Sequence, residues 1–429
     1  LDPSTLETMA RMMEKLEGSP VLLIATCRPG IEPRCRAVTA IERIHLSRLP
    51  QDRVRELIRG VAHGRRLTDG WVDAILARAD GVPLFVEELV HSALESGHAS
   101  HDSCLSAEVD VPDTLQDLFE ARLDALGTAK ELVQLASVLG REFTYDLIRE
   151  IAPLQDARLL EALEHAVQAD VLCRRGTAPD ATYLFRHALL RDAAYHSLLR
   201  STRRRHHLHI ARTIIERLPE LAEGRPEMIG YHLTEAGDFE PAAEYWRRSG
   251  ELHSARSAHR EAIGQLRRGL AALSKANEEP LRLERELQMQ IALGVSLQAV
   301  EGFSSPDVRS AYARALELCE QVRNPSLRAS GLWGSVAFYV TTGELGKARE
   351  LAARLAVAGG PCSTARTAAA YALGNVAFLE GRFGDALAHN AEATQHNRPD
   401  ESAIQVARWG HDFESVIHAY QSWTLWPLG

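Results

Sequence analysis

Gly81-Val82-Pro83-Leu84-Phe85-Val86-Glu87-Glu88-Leu89 is the stretch on which the reading of the whole chain turns. Glycine tolerates the left-handed backbone that ends a helix, and proline pre-sets φ at the first position of the next one. Leu84, Phe85 and Leu89 give that next helix an apolar face. The segment is a joint. Upstream of it the pattern reads as α/β, and downstream as mainly helical.

Moving towards the N-terminus, helical patterns occupy residues 69–78 and 52–61. Ile44 and Leu46 alternate with polar neighbours, which predicts a strand over 40–46. Residues 20–26 form a continuous apolar run of the kind buried on both faces of a parallel sheet. Ligands bind beyond the carboxyl ends of such strands, which places Arg28 where an anion would be held; the alternative is an arginine capping a surface turn. Asp2 and Pro3 open a first helix with Leu6, Met9, Met12, Met13 and Leu16 at helical spacing.

Moving the other way, residues 96–111 are rich in Ser, His, Asp and Gly and read as a linker or exposed loop. Amphipathic helices follow near 113–126, 129–139 and 154–169, with a shorter one at 145–151. A β-hairpin comes next, with strands at 171–173 and 182–185. Helices followed by a hairpin are the outline of a winged helix, but Arg174, Arg175 and Arg186 are too few basic residues to make DNA its default ligand. The hairpin leads into Phe185-Arg186-His187-Ala188-Leu189-Leu190-Arg191-Asp192-Ala193-Ala194-Tyr195. A histidine at a strand-to-helix junction lies beside free backbone N–H groups, where anions are readily held; a capping or core histidine is the alternative. Arg203-Arg204-Arg205-His206-His207 reads most simply as a solvated helix face, with a phosphate or acidic partner as the alternative.

Beyond about residue 223 the sequence repeats itself. Leu-Trp-Gly-Ser-Val-Ala-Phe (332–338) matches Ala-Leu-Gly-Asn-Val-Ala-Phe (372–378), with Gly334 and Gly374 aligned 40 residues apart. Each is followed by a glycine turn and a second helix, Gly343-Glu344-Leu345 with Ala348 and Gly381-Arg382-Phe383 with Ala386. Ala236-Gly237-Asp238-Phe239 with Ala242 and Ala243 carries the same signature. Small residues let paired helices approach, so this predicts a helical-hairpin solenoid of tetratricopeptide (TPR) type whose concave face suits a protein or peptide.

A chain of 429 residues with net charge −9 gives no electrostatic reason to bind nucleic acid non-specifically. Its longest apolar run is far short of the roughly 20 residues of a membrane helix, and the six scattered cysteines show no metal spacing, so a reduced, cytoplasmic setting is expected. The phosphate-cradling GxxxxGK[ST] loop, HExxH and GxSxG are all missing from this sequence. No catalytic residue and no metal ligand are assigned. With Leu1 first and an uncapped helical pattern last, the chain is expected to be an excerpt of a longer protein.

Val-Leu-Leu-Ile-Ala-Thr-Cys-Arg-Pro-Gly (21–30), the 81–89 stretch, Gly-Arg-Glu-Phe (140–143) and the 185–195 stretch together resemble a bacterial family. It comprises the predicted signal-transduction ATPases of the STAND class, AAA-related and TPR-bearing, that are found fused to class III adenylate/guanylate cyclases, LuxR-type regulators or Ser/Thr kinases. The resemblance implies that Leu1 begins just after Walker B, with Walker A and Walker B upstream. It implies nucleotide contacts for Arg28 as the sensor 1 arginine, for Gly81 and Pro83 as the GxP motif at the adenine, and for His187 as the MHD-motif histidine at the ADP phosphate. Arg186 and Ala188 stand where that motif has Met and Asp.

The fold expected is mainly α with a partial α/β N-terminal region. Residues 1–48 would be the distal part of the AAA-like ATPase core, 49–100 a helical lid, 112–200 a winged helix and 201–429 a TPR-like α-solenoid. The function expected is the regulatory half of a nucleotide-switched ATPase, with ATP/ADP and Mg²⁺ bound only in the full-length parent, a fused effector domain, and a protein or peptide on the repeats. A nucleotide-independent TPR scaffold and a transcriptional-regulator fragment are the alternatives. Neither a membrane nor nucleic acid is an expected partner.

Overall fold

The computed structural model describes residues 3–16, 19–22, 24, 26, 42, 44–65, 67–95, 114–276, 281–358, 363–398, 400, 402, 405 and 412–429. The fold is mainly helical, and the chain divides into two compact units, Thr39–Arg217 and Leu1–Val38 with Leu218–Gly429. The first helix, α1 (Pro3–Lys15), belongs to the second of these.

The unit Thr39–Arg217 begins with α2 (Gln51–Val61), α3 (Asp69–Arg78) and α4 (Pro83–Glu95). Their inward faces, including Val54, Ile58, Trp71, Ile75, Phe85, Val86, Leu89 and Val90, share one core with Leu118 of α5 (Leu115–Ala125). The chain continues through α6 (Lys130–Leu139), β1 (Glu142–Thr144), α7 (Tyr145–Ile151), α8 (Asp156–Gln168), β2 (Leu172–Arg175), β3 (Thr182–Phe185), α9 (Ala188–His196) and α10 (Arg200–Arg217). The strands form one antiparallel sheet in the order β1-β3-β2, with Phe143 opposite Tyr183 and Leu172 opposite Phe185. The sequence pattern had not marked β1, whose three residues turn only Phe143 inward.

The strands expected over 20–26 and 40–46 are not formed at their described residues. Leu22, Ile24, Ile44 and Leu46 lie in irregular backbone and are 84%, 78%, 79% and 92% exposed. A strand of a parallel sheet needs a neighbour for its N–H and C=O groups, and no strand among the described residues pairs with these segments.

The second unit is built of α11 (Pro219–Gly224), α12 (Pro226–Ala236), α13 (Phe239–Ala255), α14 (His259–Leu273), α15 (Arg282–Glu301), α16 (Pro306–Gln321), α17 (Pro325–Thr341), α18 (Leu345–Ala358), α19 (Ser363–Leu379), α20 (Phe383–His396) and α21 (Phe413–Leu428). From α12 on, consecutive helices pack on one another, and α13, α15, α17, α19 and α21 also touch in succession as one row. This is the expected helical-hairpin solenoid.

Its register differs from the alignment of Gly334 with Gly374. Four hairpins close with the same backbone bond, 2.9 Å from N–H to C=O in each: Asp238 to Leu233, Ala258 to His253, Glu344 to Tyr339 and Arg382 to Ala377. A left-handed residue sits at each turn, Gly237, Ser257, Gly343 and Gly381. Seven residues before it stand Gly230, Gly250, Val336 and Gly374, and nine after it Trp246, Leu266, Ala352 and Asn390. A Cβ at Gly230, Gly250 or Gly374 would come within 2.9, 2.5 and 2.9 Å of Trp246, Leu266 and Asn390. Large side chains thus sit against missing ones within a hairpin, and α13 serves two hairpins in turn.

Gly334 lies two positions out of this register, about 200° round the helix. It faces the preceding helix instead, where its Cβ would stand 2.9 Å from the Tyr312 ring. The structural repeat therefore runs from Gly343 to Gly381, 38 residues, and the 40-residue match is a coincidence of similar heptapeptides.

No helix among the described residues is long and apolar enough to cross a membrane.

Candidate functional site

The joint has the local geometry its residues dictate. Gly81 adopts φ +68°, and its carbonyl accepts a 2.8 Å bond from Leu49 N–H. A Cβ there would come within 2.9 Å of the Leu49 nitrogen, so both the backbone angle and the close approach require glycine. Arg48 and Asp80 pair across the same contact. Pro83 opens α4 and is exposed, with Val86 N–H bonding back to the Val82 carbonyl at 3.1 Å.

One turn further on, α4 buries a carboxylate. Glu88 lies on the face carrying Phe85 and Leu89 and is 4% exposed. Its Oε2 accepts from the Arg122 guanidinium, itself 10% exposed, and its Oε1 stands 3.5 Å from His187 Nε2. Arg122 is delivered by α5, which starts at a capping box in which Thr114 and Asp117 satisfy each other's backbone N–H groups.

His187 is the N-cap of α9, but its side chain makes no cap bond. The Leu190 N–H bonds to its carbonyl and leaves the imidazole directed at Glu88. Flanking bonds from Phe185 N–H to the Arg141 carbonyl and from Arg186 N–H to the Val171 carbonyl, 2.9 and 3.1 Å, fix the strand-to-helix junction. Burial pushes the His187 pKa below its ordinary value. Arg186 pushes the same way, Glu87 opposes, and Arg122 and Arg141 add to the lowering. At neutral pH the imidazole is therefore neutral, able to donate from one nitrogen and accept at the other.

The 81–89 and 185–195 stretches, about 100 positions apart, thus meet at one carboxylate. Sequence reasoning missed Glu88 and Arg122. The available signal was an acidic residue three positions from Phe85 on the apolar face of a helix, where charges are rarely left unpaired. Arg28 lies outside the described residues. Within the 185–195 stretch, Arg186 also pairs with Asp170 at 2.7 Å, and Arg191 donates to the Ser137 carbonyl at 2.9 Å. Tyr195 hydroxyl lies 3.0 Å from His207 Nε2.

The cluster contains no activated nucleophile. It offers a cation and an imidazole sharing one anion, each on a separate element. No group of acidic, histidine and cysteine side chains among the described residues is arranged to hold a metal.

No protein-family model matches the chain. An uncharacterized protein of Rhizobium meliloti (strain 1021) is 27% identical over 327 residues, 75% of this chain and 32% of that protein. The chain thus spans about a third of the length of this curated relative. Among solved structures, a signal transduction ATPase with numerous domains (STAND) that has a tetratricopeptide repeat sensor, from Pyrococcus horikoshii, is similar over 88% of this chain and 63% of its own. The identity is 12% and the TM-score 0.32.

Proposed function

We propose that this chain is the regulatory part of a nucleotide-switched signal-transduction ATPase. The helix that opens at Pro83 and the winged-helix module 112–200 change their mutual hold with the ADP or ATP state, and the helical row presents a surface to a protein or peptide. The observation that carries this reading is the meeting of the 81–89 and 185–195 stretches at Glu88, because a lid and a winged helix joined by exchangeable charges are what such a switch requires. Gly81 and Pro83 would line the adenine, and His187 and Arg28 would sense phosphate. ATP and Mg²⁺ would be held by a phosphate loop outside this sequence, and the cyclase or LuxR-type effector would be fused to the same parent.

The test is nucleotide retention by the protein that carries this chain with its phosphate loop. His187→Ala should release ADP faster than wild type, and equal retention sinks the reading. The 429-residue chain alone should show no ATP turnover; measurable turnover contradicts the assignment of hydrolysis to residues outside it.

A further inference from the structure

The carboxylate at the centre of the site is itself the anomaly. Burying an ion pair is costly, and an apolar pair of similar volume stabilises a fold as well or better, so Glu88 and Arg122 are not explained by stability alone. Around His187, Arg186, Arg122 and Arg141 disfavour the charged imidazole and Glu87 favours it, while Glu88 Oε1 lies 3.5 Å from its Nε2. Glu88 reaches both bases at once, one oxygen to each, from a helix that begins at the glycine-proline joint. Arg122 and His187 come from α5 and from the β3–α9 junction, so the guanidinium and the imidazole that meet Glu88 are both carried by elements other than α4. His187 keeps 27% of its side chain exposed.

We infer that Glu88 is an internal anion occupying a phosphate subsite formed by Arg122 and His187: a phosphate-bearing ligand and the Glu88 carboxylate compete for the same two groups, so filling the subsite releases α4. This rests on the nucleotide reading above for its biological source, but its chemistry is phosphate against carboxylate. A guanidinium offers paired N–H donors that suit either anion. Exchange involves no covalent step. It converts a ligand's charge into movement of the helix that follows the joint, and Glu88 acts as the built-in inhibitor of that movement.

The test is equilibrium dialysis of the 429-residue chain against pyrophosphate, inorganic phosphate and ADP. Glu88→Gln should bind pyrophosphate at least about tenfold more tightly than wild type. Glu88→Gln combined with His187→Ala or with Arg122→Met should return to the wild-type level. Equal binding by wild type and Glu88→Gln overturns the proposal, as does Glu88→Gln binding that survives loss of His187 and of Arg122. Binding of ADP and pyrophosphate alike supports a phosphate subsite, whereas ADP binding without pyrophosphate binding overturns it. If Glu88→Gln does not fold, Glu88→Asp supplies the same comparison, because shortening the carboxylate weakens its hold and should tighten pyrophosphate by a smaller factor. A tightened Glu88→Gln together with unchanged ADP retention in His187→Ala of the parent would leave the subsite standing and remove the nucleotide switch.

Discussion

The unit Thr39–Arg217 and the helical row of the other unit solve the problem of specificity in opposite ways. In the first, besides the apolar core shared by α2 to α5, distant elements meet through polar contacts centred on buried groups, Glu88 with Arg122 and His187, and His207 with Tyr195. In the row, helices meet through shape: the Tyr312 ring fits against Gly294 and Gly334 and stacks on Phe338 at 5.6 Å. Directional polar contacts can be re-made with another partner of the same charge, whereas interlocked rings and glycines have one arrangement. The first design suits a part that must move, and the second a rigid surface.

The sharpest way to break this contrast is to remove the ring. Tyr312 is 2% exposed, and Tyr312→Ala should cost about 4 kcal/mol, the transfer loss plus a cavity lined by two glycines that cannot close it. Native-state hydrogen exchange should show that loss in α15 to α17 with α4 unaffected. If α4 loses protection to the same extent, the two regions do not differ in the way described.

Next in size is the buried pair. Arg122→Met leaves the Glu88 carboxylate buried without its guanidinium and should cost about 3 kcal/mol in the α4 and α5 amides. Glu88→Met with Arg122→Met should recover to within about 1 kcal/mol of wild type, since matched apolar groups replace the pair. A double variant as unstable as Arg122→Met would mean that the charges serve stability after all, and would weaken the case for an exchangeable contact.

Much of this was legible in the sequence, and what was not has physical causes. The helices at 51–61, 69–78 and 130–139 follow from apolar periodicity and terminal signals that lie within a few residues of each other. The joint at 81–83 was readable because glycine and proline restrict the backbone directly. The strands expected at 20–26 and 40–46 are not formed at their described residues because an apolar run specifies burial, and burial in a sheet needs a partner that periodicity cannot supply. The repeat was recognised from similar heptapeptides, yet α17 carries two more residues between its glycine and the turn than α19 does, so the aligned glycines point to different neighbours. Half of the candidate site, His187 and the joint, came from local chemistry. The other half, Glu88 with Arg122, spans 34 residues of sequence and exists only through packing.

The smallest effect tests the polar region by pH. His207 is 1% exposed, and burial, reinforced by Arg191, His206 and Arg203, lowers its pKa from 6.5 to about 4. The folded chain therefore binds fewer protons than the unfolded chain between those values. Its contribution is fully present above pH 6.5 and declines as the pH falls towards 4. By pH 5 the loss should be about 2 kcal/mol. The counterpart in the helical row behaves differently. Burial raises the Glu244 pKa, but hydrogen bonds from Arg247 and Arg248 outweigh it and hold the carboxyl below its ordinary 4.5, so its contribution is lost only in more acid solution. Urea denaturation at pH 7 and pH 5 should then show wild type losing about 2 kcal/mol more than His207→Gln, which removes the titrating ring but keeps a polar partner for Tyr195. His187 and His206, also held below their ordinary values by burial, titrate in both proteins and cancel in the comparison. Equal losses in wild type and variant would show that the Tyr195–His207 contact opens to solvent before the unit unfolds, and would move this part of the molecule from a fixed polar core to one already in exchange.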